Sequence, residues 1–205
     1  MGNIIPFPAK QPSKFGFKRV RKRKKGNPDQ LNLFPARMAE VLRLPTNISP
    51  FEEALLLDEH CDSRAEASYR RAIAEGDFVA DAYCNLGIIE SKAGRTAKAF
   101  DCFTKSLEHD PRHFEAHYNL ANLYFEGNNL RLAKMHYELA AEIDPAFPNL
   151  YFNLGLVLAL LEETKAAIDA LDKYQLQAPP EERGKAGDLI SELRRSLDMA
   201  GGNTG

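Results

Sequence analysis

Three histidines four residues apart, His109, His113 and His117, are the first candidates for chemistry. Imidazoles on one face of a continuous helix could converge on a divalent cation. Pro111 lies inside the run and breaks any shared helix face, so these residues read as packing groups. Cys84 would be a nucleophile only beside a cation that favours the thiolate, and packing accounts for it better. The chain shows no Gly-rich phosphate loop, no G-x-S-x-G elbow and no HExxH helix. The reading is a non-enzymatic chain with no cofactor.

Side-chain amides make a more regular pattern. Asn85, Asn119 and Asn153 recur at intervals of 34 residues. A carboxamide carries a donor and an acceptor on one planar group, matching the N–H and C=O that one residue of an extended peptide presents along an edge. A ladder of such groups suits a site that grips an extended peptide backbone, or serves only local hydrogen bonding.

A third constellation is electrostatic. Lys18, Arg19, Arg21, Lys22, Arg23, Lys24 and Lys25 occupy seven of eight consecutive positions. Such a run binds polyanions by releasing counterions, without sequence preference, and reads equally as a nuclear import signal or an anionic-membrane contact. Residues 1–45 also hold Lys10, Lys14, Arg37 and Arg43 against only Asp29 and Glu40, whereas the whole chain has a net charge of −2. A basic arm thus precedes an acidic body, and the arm has an anionic partner or folds back on that body.

The elements that must position these groups follow one ruler. Tyr83, Leu86, Gly87, Ala99, Phe103 and Pro111 are followed 34 residues later by His117, Leu120, Ala121, Ala133, Tyr137 and Pro145. Tyr151, Leu154, Gly155, Ala167, Leu171 and Pro179 complete a third set; Ala65 and Tyr69 mark an earlier one. A fixed period of this length implies a stacked array of helical hairpins. Small residues at Gly87, Ala121 and Gly155 let paired helices approach, and each proline ends a second helix. Helices are predicted at about 50–60, 63–75, 80–93, 96–108, 114–127, 130–142, 148–161, 164–177 and 181–198. Ser49-Pro50-Phe51-Glu52 supplies a capping box with proline in the first turn. Ala186, Leu189, Ile190 and Leu193 give the last helix one apolar face, as a terminal cap requires.

These landmarks resemble the tetratricopeptide repeat pattern W-x₂-L-G-x₂-Y, A-x₃-F, P over about residues 46–180, with Tyr83, His117 and Tyr151 replacing Trp. The resemblance implies an all-α solenoid of four repeats with a C-terminal capping helix. Its units are a disordered basic arm (1–45), a divergent first repeat (46–79), three repeats (80–113, 114–147 and 148–180) and the cap (181–199). It implies a concave groove lined by Asn85, Ile88 and Lys92, then Tyr118, Asn119, Asn122 and Phe125, then Phe152, Asn153 and Leu156, with Asp81, Cys84, Glu115 and Asn149 beside them. The expected function is a protein–protein interaction scaffold that holds an extended partner peptide. Adaptors of this family that hold a chaperone's terminal carboxylate use paired Lys and Arg, which these slots lack. Tyr118, Phe125 and Phe152 instead suggest an apolar or aromatic ligand.

Gln30-Leu31-Asn32-Leu33-Phe34 resembles the Q-L-x-L-F peptide by which bacterial polymerases and repair proteins hold the sliding clamp, with Asn32 in place of Ser or Asp. By that resemblance Leu31, Leu33 and Phe34 would enter an apolar pocket and Gln30 a polar subsite. The alternative function is therefore a nucleic-acid-associated adaptor, its arm on DNA or RNA and its peptide on a clamp. The cysteines at 61, 84 and 102 are odd in number without C-x-x-C spacing, so neither a disulfide framework nor a zinc site is expected, in keeping with a reducing cytosol. No apolar run approaches the ~18 residues of a membrane span. A cytoplasmic chain of bacterial type is expected, or a nuclear one in a eukaryote.

Overall fold

The computed structural model describes residues 16–20 and 48–201. Helix α1 (Pro50–Glu59) starts where the capping box requires: the Glu52 amide donates to Ser49 Oγ at 3.3 Å, and the Ser49 amide to Glu52 Oε2 at 3.4 Å. It pairs with α2 (Ala65–Glu75), and α3 (Val79–Lys92) pairs with α4 (Thr96–His109). Next come α5 (Phe114–Glu126) with α6 (Leu130–Ile143), and α7 (Pro148–Leu160) with α8 (Thr164–Gln177). A 3₁₀ turn (Pro180–Glu182) leads into α9 (Gly184–Gly201), which packs on α8. Among the described residues all regular structure is helical, and each helix touches the next in sequence. The last helix begins three residues later than the sequence predicts, because Pro180-Glu181-Glu182 closes a 3₁₀ turn first.

The 34-residue landmarks are the core. Ala65, Ala99, Ala133 and Ala167 are buried at contacts within the hairpins, and Tyr69, Phe103, Tyr137 and Leu171 are wholly inaccessible. Burying one such side chain stabilises the fold by about 1.5–3 kcal/mol. The small residues are steric requirements. A Cβ on Gly87 would lie 2.7 Å from Phe103 Cε1, and one on Gly155 would lie 2.7 Å from Leu171 Cγ.

The aromatic slot at the start of each first helix explains how His117 replaces an aromatic ring. Tyr151 donates its hydroxyl to the Pro145 carbonyl at 3.2 Å, and His117 Nε2 meets the Pro111 carbonyl at 3.1 Å, six residues back in both cases. The polar tip satisfies the same loop carbonyl from the same depth. Turns within the hairpins repeat as well. Gly94, Asn128 and Glu162, spaced at the period, all have positive φ (73°, 56° and 62°). Glycine adopts that backbone without strain, asparagine with little, and glutamate with most.

Helix α9 closes the array. Ala186, Leu189, Ile190 and Leu193 are buried in one cluster with Leu171 and Tyr174 of α8, while Arg194 reaches Asp172 at 3.1 Å on the outside. No helix among the described residues is long and apolar enough to cross a membrane.

Candidate peptide-binding groove

Gly87 of α3 faces Phe103 of α4 within its hairpin, while Asn85 of α3 and Asn119 and Asn122 of α5 face residues 16–20. Residues 16–20 run across these helices. The sequence assigns these five residues to a disordered arm; in the structure the groove supplies partners for their backbone. Asn119 Oδ1 accepts from the Lys18 amide at 2.7 Å, and Asn119 Nδ2 donates to the Lys18 carbonyl at 2.8 Å. Asn85 repeats the pairing with Val20, at 2.9 Å from its amide and 3.1 Å to its carbonyl. Asn122 Nδ2 donates to the Gly16 carbonyl at 3.3 Å. Alternate residues of an extended chain show their polar groups on one edge, so 16, 18 and 20 meet the amides and 17 and 19 do not. The segment runs against the repeat order, from α5 towards α1.

The side chains of the segment enter distinct surroundings. Lys18 Nζ lies 4.1 Å from the Phe114 ring centroid and 4.0 Å from that of Phe147. Asp144 Oδ2 at 3.8 Å and Glu115 Oε1 at 4.0 Å flank it. Burial lowers the Lys18 pKa, and Glu115 and Asp144 oppose the shift. Arg19 Nη1 contacts Asp58 Oδ2 at 2.6 Å and donates to the Asp58 carbonyl at 3.1 Å. Asp58 is nevertheless held above the usual carboxylate range, because its desolvation outweighs the Arg19 charge. Val20 is 7% exposed and belongs to the core of the N-terminal half, while Phe17 stacks on Phe103 at 6.1 Å.

Arg19, Asp58, Tyr69, Asn85 and Val20 form one connected network. The Tyr69 hydroxyl donates to Asp58 Oδ2 at 3.4 Å and accepts from Asn85 Nδ2 at 3.1 Å. The amide that grips Val20 is thus oriented by the tyrosine beside the carboxylate that grips Arg19.

The expected lining divides into three sets. Asn85, Asn119 and Asn122 contact the segment. Asn153 Nδ2 donates to the Tyr118 hydroxyl at 3.1 Å and to Asn122 Oδ1 at 3.0 Å, orienting Asn122 for Gly16. Asn122 Oδ1 also accepts from Tyr137. Ile88, Tyr118, Phe152 and Leu156 are buried, and the Phe152 ring lies 5.1 Å from that of Tyr174. Phe125 is half-buried at the edge of the C-terminal core, Lys92 is exposed at the end of α3, and Asn149 is half-exposed. The rings that meet the segment are Phe103, Phe114 and Phe147, and the decisive carboxylates are Asp58 and Asp144; the sequence reading placed none of these in the groove. Phe114 and Phe147 sit where first helices begin, at the mouth of the groove, and that position was the available signal.

The remaining candidates have structural partners. His113 caps α5 by accepting from the Ala116 amide at 3.1 Å, and its Nε2 lies 3.4 Å from Asp81. His117 pairs with His136 across α5 and α6 at 3.0 Å, and His109 stacks on Tyr83 at 5.7 Å. Cys84 is fully buried, its thiol pushed well up by desolvation, with Asn119 Nδ2 at 3.5 Å. Arg21, Lys22, Arg23, Lys24, Lys25 and the Gln30, Leu31, Leu33 and Phe34 motif lie outside the described residues.

Residues 78–146 match the tetratricopeptide repeat family. These residues are tetratricopeptide repeats. The mouse tetratricopeptide repeat protein 8 is 28% identical over 120 residues, covering 58% of this chain and 23% of that protein. The chain therefore spans less than a quarter of that relative's length. Among solved structures, MamA AMB-1 superimposes with a TM-score of 0.62 at 21% identity, over 73% of this chain and 81% of that one. The first tetratricopeptide domain of Spaghetti (RPAP3), bound to the HSP90 peptide SRMEEVD, gives 0.54 at 21% identity, over 58% and 93% of the two chains. The same domain of human RPAP3 gives 0.53 at 21% identity, over 62% and 97%. At such identity the likeness extends to the fold alone, a solenoid of helical hairpins.

Proposed function

We propose that the chain is a non-enzymatic interaction module whose concave tetratricopeptide groove grips an extended peptide by its main chain. In this state residues 16–20 of its own arm occupy the groove. The observation that carries this reading is the paired hydrogen bonding of Asn119 with Lys18 and of Asn85 with Val20, each amide using donor and acceptor on one residue. Main-chain grip at alternate residues sets register and direction, and the side-chain surroundings add selectivity. Asp58, Glu115 and Asp144 favour a basic segment, whereas the peptide SRMEEVD carried by the RPAP3 homologue has three acidic residues and one arginine.

The test uses the full chain with Arg19→Glu and Val20→Asp, which loosens the arm without touching a helix. A fluorescent peptide of residues 14–21 should bind this protein saturably. Adding Asn119→Ala should weaken binding at least about tenfold, the equivalent of losing one buried hydrogen bond to the backbone. The exposed Lys98→Ala change on α4 should leave binding as it was. Equal losses from the two substitutions would refute the groove.

A further inference from the structure

The Lys18 surroundings differ in kind from those of Arg19. Arg19 makes short contacts to one carboxylate and one carbonyl, as a hydrogen-bonded guanidinium does. The Lys18 ammonium instead lies about equally close to two ring centroids, at 4.1 and 4.0 Å, with carboxylate oxygens at 3.8 and 4.0 Å. An ammonium that hydrogen-bonds a carboxylate sits nearer 2.7–2.9 Å from it. Here the attraction comes from ring faces and from carboxylates beyond hydrogen-bond reach, the arrangement by which proteins hold quaternary ammonium groups. The walls are rigid: Phe147 meets Phe114 edge-on at 5.5 Å and Tyr118 edge-on at 5.2 Å. The register is fixed as well, because Asn119 holds both backbone groups of Lys18.

We propose that Phe114 and Phe147, with Glu115 and Asp144, form a lysine-reading cage, and that partners in trans are basic peptides presenting extended Lys-Arg, of which residues 16–20 are the tethered mimic. The cage reads positive charge on the lysine rather than its N–H groups, so it accepts methylated lysine and rejects acetylated lysine. This rests on the groove reading above. It goes further by naming the ligand class and the subsite, and Arg19 at Asp58 supplies the second half of the recognised pair.

The experiment keeps the arm-loosened full chain constant and varies only the peptide of residues 14–21. At the Lys18 position the peptides carry lysine, trimethyl-lysine, acetyl-lysine or norleucine, which keeps the apolar stem without the charge. Lysine and trimethyl-lysine peptides should bind equally well, or the trimethylated one more tightly. The acetyl-lysine and norleucine peptides should bind about tenfold more weakly or worse. Norleucine or acetyl-lysine binding as tightly as lysine would overturn the cage, since the stem alone would then account for affinity. Loss of binding on trimethylation would overturn it too, since hydrogen bonds would then hold the ammonium. Failure of every peptide, lysine included, would instead sink the groove reading on which the cage stands.

Discussion

Asn119 and Lys18, 101 residues apart in the chain, exchange two hydrogen bonds through one carboxamide. The amide is fully buried, and its remaining donor contact is the Cys84 sulfur at 3.5 Å. With the arm in place no water reaches the amide, so any occupant that seals this site must supply backbone partners or leave a buried amide under-satisfied.

Replacing Asn119 by Ala in the otherwise native chain should release the arm. The expected effect is a stability loss of about 1–3 kcal/mol and faster trypsin cleavage after Lys18 and Arg19. Urea denaturation and timed digestion measure the two together. Unchanged cleavage at those bonds would show that the amide does not hold the segment.

A tethered arm is a strong competitor. Its effective concentration is on the order of millimolar, so a peptide of about 1 μM affinity should bind the native chain up to about a thousandfold more weakly than the arm-loosened chain. Fluorescence anisotropy with the same peptide measures both. Identical affinities would mean the arm does not compete for the groove.

Acid should weaken the α5–α6 contact. His136 is held down to about 4 and His117 is lowered, both chiefly by burial, against an ordinary value near 6.5. With His117 Nε2 donating to Pro111, its Nδ1 accepts from His136 Nδ1, and a proton added there would set two donors face to face. Bases with depressed folded pKa values contribute stability that is intact above about 6.5 and lost as pH falls towards 4, because the unfolded chain takes up protons first. The melting temperature should drop across that window, and His136→Gln should flatten the drop. A native melting temperature constant from pH 7 to pH 4 would contradict this account.

Gly87→Ala should destabilise the second hairpin by about 1–3 kcal/mol. The new methyl meets a Phe103 ring that is wholly buried. Chemical denaturation measures it, and a neutral or stabilising result would show that α3 and α4 separate more easily than their packing implies.

Glu162→Gly should act in the opposite direction. Glu162 adopts φ 62° at the turn where the second hairpin has Gly94. Relieving left-handed strain should raise stability by about 1 kcal/mol, read as an upward shift in the denaturation midpoint. A lowered midpoint would mean that the glutamate makes contacts worth more than the strain.

The order of helices, their pairing and their small-residue contacts were legible in the sequence because each depends on neighbours within one or two repeats. The 34-residue spacing of Ala99 and Ala133, of Phe103 and Tyr137, and of Pro111 and Pro145 is the spacing of the packing unit itself, so periodicity translated directly into core. The asparagine positions were legible for the same reason. Their partners were not: Asn85 and Asn119 bond the backbone of Val20 and Lys18, and Asn153 Nδ2 donates to Tyr118 and Asn122. That choice depends on which acceptor stands nearest in three dimensions. The Lys18 cage was equally hidden. Phe114 and Glu115 open α5, Asp144 follows α6 and Phe147 precedes α7, and the lysine they surround comes about a hundred residues before all of them. By itself the sequence determined a helical array with a backbone-gripping face and a basic arm, since local period and charge suffice for both. Only the tertiary structure decided that residues 16–20 lie on that face, because the contact joins groups whose proximity exists only once the repeats have stacked.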